Sequence, residues 1–282
     1  MKKGILALAL IGIMVFASTG MADTFITIGS GGVGGTYYPL GGAMAEVLTN
    51  AGIGVRATSR STSASRENCR LVASGRAHIG MTMGSALYQA ITGTEAFEPD
   101  GKLPLQILMS MYPAPQHLVT VKGSGITKLE DIKGKRVSVG APGSGVLGDV
   151  SAILKIAELH YGDMSPDFLD FNNTTQRFKD GQLDVGFVVA GYPTSSIIDL
   201  AATNDIDLIS FNDDFMTRLT AQYPYFIKDV IPAGTYRGID RDIVTPAVNA
   251  MLICEAGLPD DVVYRFTKAL WENISDLRKV HP

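Results

Sequence analysis

Of 282 residues, 46% are hydrophobic and 18% charged, with a formal charge of −4 at pH 7, a balance that excludes a disordered chain, a coiled coil and a disulfide scaffold. The acidic excess leaves no basic field of the kind that supplies polynucleotide affinity, so nucleic acid is excluded as a partner. Glycine accounts for 31 residues, about 11% against the roughly 7% of an average chain, which directs attention to loops where backbone approaches backbone or a ligand.

The chain opens on Lys2 and Lys3, continues through an apolar run at 5–17 and ends its first segment in Gly20-Met21-Ala22. This is the grammar of a cleavable signal peptide over residues 1–22, with the mature protein beginning at Asp23. The apolar run is 13 residues long, short of the ~20 needed to cross a bilayer. No cysteine follows it to carry a lipid. Its removal takes two lysines and no acid, moving the formal charge from −4 to −6.

Residues 25–28 alternate as a strand, break at Gly29, pass a glycine-rich loop and enter a helix over 38–50. A strand at 55–59 and a helix at 66–74, with Ser65 as its N-cap, follow. Residues 75–80 lead into a strand that ends at Met83 and stops at Gly84. Pro113 and Pro115 punctuate an extended stretch at 111–117. The opening pattern then recurs: residues 136–139 alternate, break at Gly140, pass Pro142-Gly143-Ser144-Gly145 and enter a helix to about Leu159. Residues 181–186 likewise lead a strand to Val189 that stops at Gly191. The offset is 111 residues from Gly29 to Gly140 and 106 from Gly75 to Gly181. A second extended crossover at 236–246, a strand at 249–254 and a helix over 259–279 complete the chain. The expected fold is α/β with two lobes, residues 23–112 plus 243–282 forming one and 113–242, with the crossovers, the other. The bland alternative is that any α/β chain repeats such units.

Gly29-Ser30-Gly31-Gly32-Val33-Gly34 matches the dinucleotide fingerprint, but no acid stands at the ribose position and export removes the protein from nucleotide pools. A loop that cradles a carboxylate with Ser30, Gly31, Thr36 and Tyr37 explains the same residues without a cofactor, because helix-opening loops gather free N–H groups at the positive end of the helix dipole. Ser144 lacks the preceding glycine of a nucleophile elbow, and neither Gly101-Lys102 nor Gly134-Lys135 continues into a phosphate loop. His78, His117, His160 and His281 show no metal spacing. His117, at the crossover, is placed to donate to a ligand or to serve as a satisfied structural residue. Gly191 and Tyr192 reach the same cleft from the other side. Cys69 and Cys254 are expected as separate buried thiols, with a disulfide as the alternative.

Taken together, residues 28–32 and Gly35-Thr36-Tyr37-Tyr38-Pro39-Leu40-Gly41, then Ser65-Arg66-Glu67-Asn68 and the Lys133-Gly134-Lys135-Arg136-Val137 segment carry a family likeness. So do residues 180–184 and 231–236. The sequence resembles the TAXI-type solute receptors of tripartite ATP-independent periplasmic (TRAP) transporters, over nearly all of the mature chain. The resemblance implies a type II periplasmic binding fold that closes on a small organic acid or amino acid, with glutamate, glutamine and related dicarboxylates as family substrates. It also implies delivery to a membrane permease by a monomeric periplasmic receptor, without cofactor, metal or catalysis. By motif, Ser30, Thr36, Tyr37, Ser65 and Asn68 would line the first lobe and Gly143, Ser144 and Gly145 the second. Where such receptors place Gln-Ser-Asp after the strand, this chain has Met83-Gly84-Ser85, leaving Ser85 as the polar contact there. Similar chains run on past the point where this one stops at Pro282, so a shortened product stays open. A periplasmic sensor on the same fold, and an enzyme using Ser144 or His117, are the alternatives.

Overall fold

The computed structural model describes residues 24–281; the signal-peptide segment at 1–22 lies outside them. The first unit comprises β1 (Thr24–Gly29), α1 (Tyr37–Asn50), β2 (Val55–Arg60), α2 (Ser65–Ala73) and β3 (Ile79–Met83). Its strands are parallel in the order β2-β1-β3, with Thr24 opposite Val55 and Ile28 opposite Ile79. After α3 (Gly84–Thr92) and the long β4 (Leu105–Val121), the plan recurs in β5 (Arg136–Ser138), α4 (Val146–Ile156), β6 (Ser165–Asp167), α5 (Phe171–Lys179) and β7 (Val185–Val189). These strands pair in parallel as β6-β5-β7, the order of the first unit repeated. The chain finishes with α6 (Ser195–Thr203), β8 (Ile206–Leu208), α7 (Asp213–Gln222), β9 (Phe226–Ile231), β10 (Ile243–Glu255), α8 (Asp260–Glu272) and α9 (Ile274–Val280).

Two antiparallel strands pass through both halves. β4 pairs with β10 as far as Pro115, with β7 from Gln116 and with β8 from Val119. β10 pairs with β9 up to Val248 and with β3 from Ala250. The exchange of partners falls beside Pro113, Pro115 and Pro246, residues that have no amide to donate to a continuous ladder.

Every residue of β3 and of β7 is buried, as parallel strands covered on both faces must be. On one face of the first half, Ile28, Leu48, Met81 and Phe266 pack with α1, α8 and α9; on the other, Cys69, Val72, Leu87 and Phe97 pack with α2 and α3. In the second half Phe187 joins Val150, Ile153 and Leu219, whereas its neighbour Val188 joins Ile197, Leu200 and Leu208. Consecutive residues thus enter opposite cores, as strand alternation dictates. Cys69 and Cys254 are separate buried thiols, and burial pushes the Cys69 thiol up to about 11.

Two helix limits differ from expectation. The segment expected as one helix over 259–279 is two, because Asn273 donates its side-chain amide to Ala269 O at 2.8 Å and adopts a non-helical backbone, local bonding that competes with helix continuation. The helix expected to reach Leu159 ends at Ile156, with Glu158 at φ 57° and Leu159 N donating back to Leu154 O, a left-handed stop. Among the described residues, no helix is long and apolar enough to cross a membrane.

Candidate functional site

The C-terminal ends of all six parallel strands contribute to one cavity of about 340 Å³, within the range of small-molecule pockets. Residues 31–37 follow β1, residues 61–64 follow β2, and Met83 ends β3. Ala141, Ser144, Gly145 and Val146 follow β5, residues 169–172 follow β6, and Val189 and Ala190 close β7. The site is therefore built from both halves by the same structural device, loops at strand ends.

Among the helices that start at this cavity, α1 and α4 open on it from opposite halves. Thr36 precedes α1 and Gly145 precedes α4, and neither supplies a side-chain cap. Apart from a long 3.4 Å bond from Leu147 N to Ser144 Oγ, the first-turn amides lack a side-chain acceptor, and the positive dipole ends of both helices meet the cavity. Tyr37, also on the wall, has a buried hydroxyl without a hydrogen-bond partner; burial raises its pKa further, so it stays protonated.

The halves cap each other's other helices. Gly143 O accepts from Arg66 N and Glu67 N at 3.1 Å each, at the start of α2. Gly34 O accepts from Ser196 N at 3.2 Å, Thr194 Oγ1 at 3.2 Å and Ser195 Oγ at 3.1 Å, at the start of α6. Close approach explains the glycines here: a Cβ on Gly145 would stand 2.7 Å from Met83 Sδ and 2.9 Å from Ser65 Oγ, and one on Gly34 would overlap Asn172. Behind this seam, the Asp149 carboxylate of α4 is buried without a hydrogen-bond partner, facing Arg66 of α2 and Ser85 of α3. Burial pushes Asp149 up to about 7 against the opposing pull of Ser85 and Arg66, and burial lowers the Arg66 pKa.

Of the residues expected from the sequence, Gly31, Thr36, Tyr37, Ser144 and Gly145 line the cavity. The others stand behind it. Ser30 is buried and donates to Arg60 O at 2.8 Å. Asn68 donates to Gly29 O, Ser30 O and Met81 O at 3.1, 2.6 and 2.7 Å and accepts from Thr62 Oγ1 at 2.8 Å, so its amide is spent holding the strand ends together. Ser65 is the first residue of α2 and not its N-cap, a position held by Ala64 at φ 72°; its hydroxyl accepts from Met83 N at 3.1 Å. Ser85 belongs to the Asp149 seam, and the Gly143 carbonyl is taken up by the amides of α2. Gly191 packs against Tyr112 and His281, and Tyr192 packs into the core around α6, ahead of the cis bond to Pro193.

His117 is the clearest correction. It is fully buried, with Nδ1 3.1 Å from both Pro115 O and Val188 O and Nε2 2.8 Å from Tyr236 Oη. The Nδ1–H donates to the carbonyls and Nε2 accepts from the tyrosine, which leaves no atom for a ligand. Burial lowers its pKa to about 4, the two backbone carbonyls pulling the other way. Ser144 donates to Ala141 O at 2.6 Å, so the two residues an enzymatic reading would pair are each bound to backbone. Among the described residues no group of three His, Cys, Asp or Glu side chains could hold a metal ion.

Sequence reasoning missed the walls at 61–64 and 169–172. The Arg60-Ser61-Thr62-Ser63 run after a strand is a loop signal that could have exposed the first. The second follows β6, three residues long with Pro166 at its centre, too short for any alternation to show.

The family model described as the NMT1-like family matches residues 28–282. The chain belongs to the NMT1-like family. Solved structures similar to this NMT1-like protein include the alkanesulfonate-binding protein SsuA from Xanthomonas axonopodis pv. citri bound to MOPS, 13% identical over 92% of this chain and 73% of that one, at a TM-score of 0.55. A putative L-cystine ABC transporter protein from Listeria monocytogenes is 13% identical over 91% of this chain and 94% of its own, at 0.56. DctP7, a Bordetella pertussis extracytoplasmic solute receptor binding pyroglutamic acid, is 15% identical over 92% and 81%, at 0.52. At such identities the likeness is one of fold: the NMT1-like chain has the α/β fold of periplasmic solute-binding proteins.

Proposed function

We propose that this protein is an exported solute receptor of the TAXI type, which captures a small carboxylate-bearing solute and delivers it to a TRAP permease. The observation that carries the reading is the single cavity at the strand ends of both halves, into which α1 and α4 open without side-chain caps. Such helix starts hold an anion through neutral N–H groups. Residues 23–112 with 243–282, and 113–242, act as the two lobes, and β4 and β10 flex beside their prolines to open and close the cleft. The protein acts as a periplasmic monomer, after cleavage behind Ala22, and catalyses no reaction.

The test is thermal-shift screening of protein purified from the periplasm against organic acids, amino acids and sugars. A ligand at 100 times its Kd stabilises the native state by about 2.7 kcal/mol. A selective rise in Tm with an acid is expected; a response to sugars and to no acid overturns the proposal.

A further inference from the structure

We infer that the solute is a monocarboxylate with an apolar body, and that Asp170 turns away a second carboxylate. The inference rests on the receptor reading above and narrows it. Among the described residues lining the cavity, Asp170 carries the one formal charge, and no Lys, Arg or His is present. Three of the wall's hydroxyls are committed already, leaving the neutral donors of Tyr37, Ser63 and Asn172. Ser61 Oγ gives its proton to Gly31 O at 3.0 Å, Ser144 Oγ to Ala141 O at 2.6 Å, and Thr62 Oγ1 lies 3.1 Å from Ser30 O and 2.8 Å from Asn68 Oδ1. Beside those neutral donors stand the backbone amides of Tyr37, Tyr38 and Val146 at the openings of α1 and α4, Pro39 having none and Gly148 N donating to Gly145 O, a set that suits one carboxylate. A second one would leave water without a cation or a comparable set of donors to replace it, and with Asp170 in the same wall.

The rest of the wall fits hydrocarbon. Val33, Met83, Val146, Leu169, Phe171 and Val189 line it. Val33 is 52% exposed although it sits in the loop after β1, an apolar side chain that the cores do not use and the cavity does. Asp170 itself is held in place as the N-cap of α5, accepting from Asn173 N at 2.9 Å and Asn173 Nδ2 at 2.8 Å. Its charge is thus fixed on the wall.

The experiment is calorimetric titration of the full exported protein with a matched pair, 4-methyl-2-oxopentanoate and 2-oxoglutarate, together with the amide of the former. The two acids share a head group and differ in whether the far end is branched hydrocarbon or carboxylate. The expected result is tighter binding of 4-methyl-2-oxopentanoate by roughly tenfold or more, with the amide weaker again. Asp170→Asn, which keeps an N-cap of equal quality, should raise 2-oxoglutarate affinity and shrink the ratio. If 2-oxoglutarate binds as tightly or more tightly, the inference fails while the receptor reading stands. If neither acid binds better than the amide to protein that melts cooperatively, both fail.

Discussion

At the scale of single residues, the polar side chains around the glycine loops divide by what their atoms already hold. Ser30 and Asn68 look in sequence like ligand donors beside a glycine loop, and both are buried struts. A loop at a strand end orphans carbonyls, here those of Gly29, Ser30 and Met81, and a buried carbonyl must find a donor before any ligand can. One-dimensional order shows that a polar residue is near a loop, and not whether backbone has claimed it. Tyr37 and Thr36 were legible because they open a helix and so sit on the cleft side by construction. Asn68→Ala should therefore act on the fold, taking their donor from the carbonyls of Gly29 and Met81 while Ser30 O keeps Thr62 Oγ1, at a cost of roughly 2–4 kcal/mol. Urea unfolding checks this: the midpoint falls with an unchanged slope. An unchanged midpoint would mean that water takes the place of the amide.

Whole elements were the most legible level. The recurrence at Gly29 and Gly140 marked β1-α1 and β5-α4, and the recurrence at Gly75 and Gly181 marked β3 and β7, because a parallel βα unit needs an apolar run followed at once by a helix start. β6 escaped because it is brief, and the break at Asn273 because a single side-chain bond decides it. The contacts between elements across the seam could not be seen at all, since Gly143 meets α2 and Gly34 meets α6 only after both halves have formed. These contacts predict a separable effect for Gly145→Ala. Gly145 has φ −71°, so alanine suits its backbone, yet the new methyl meets Met83 and Ser65 of the opposite half. Overpacking of this kind costs about 1–3 kcal/mol. The substitution should weaken solute binding by roughly 5- to 100-fold, while the Tm of the solute-free protein, whose halves can part, falls by less than ~2 °C. A large fall in the solute-free Tm would show that the seam is part of the resting fold.

At the scale of the whole molecule, two buried titrations oppose each other over nearly the same pH range. The Asp149 carboxyl is raised by burial from 3.8 to about 7, so its stabilising share is complete below pH 4 and is lost as pH rises toward 7. The His117 ring is lowered by burial from 6.5 to about 4, so its share is complete above pH 6.5 and is lost as pH falls toward 4. At roughly 1.4 kcal/mol per tenfold change in proton affinity, each spans on the order of 3–4 kcal/mol. Their slopes have opposite sign and similar size. Between pH 4.5 and 6.5 these two contributions to the wild-type stability should consequently offset each other in large part. Asp149→Asn removes the carboxyl and should leave a protein that loses roughly 2–3 kcal/mol on acidification through that window. His117→Gln should do the reverse, losing stability as pH rises. Urea midpoints at pH 4.5, 5.5 and 6.5 for the three proteins read the slopes directly, whatever each substitution costs at a single pH. Parallel curves would show that these groups are hydrated in the native protein. A compensating pair would mean that the seam and the crossover, placed in different parts of the fold, together hold its stability level across that pH range.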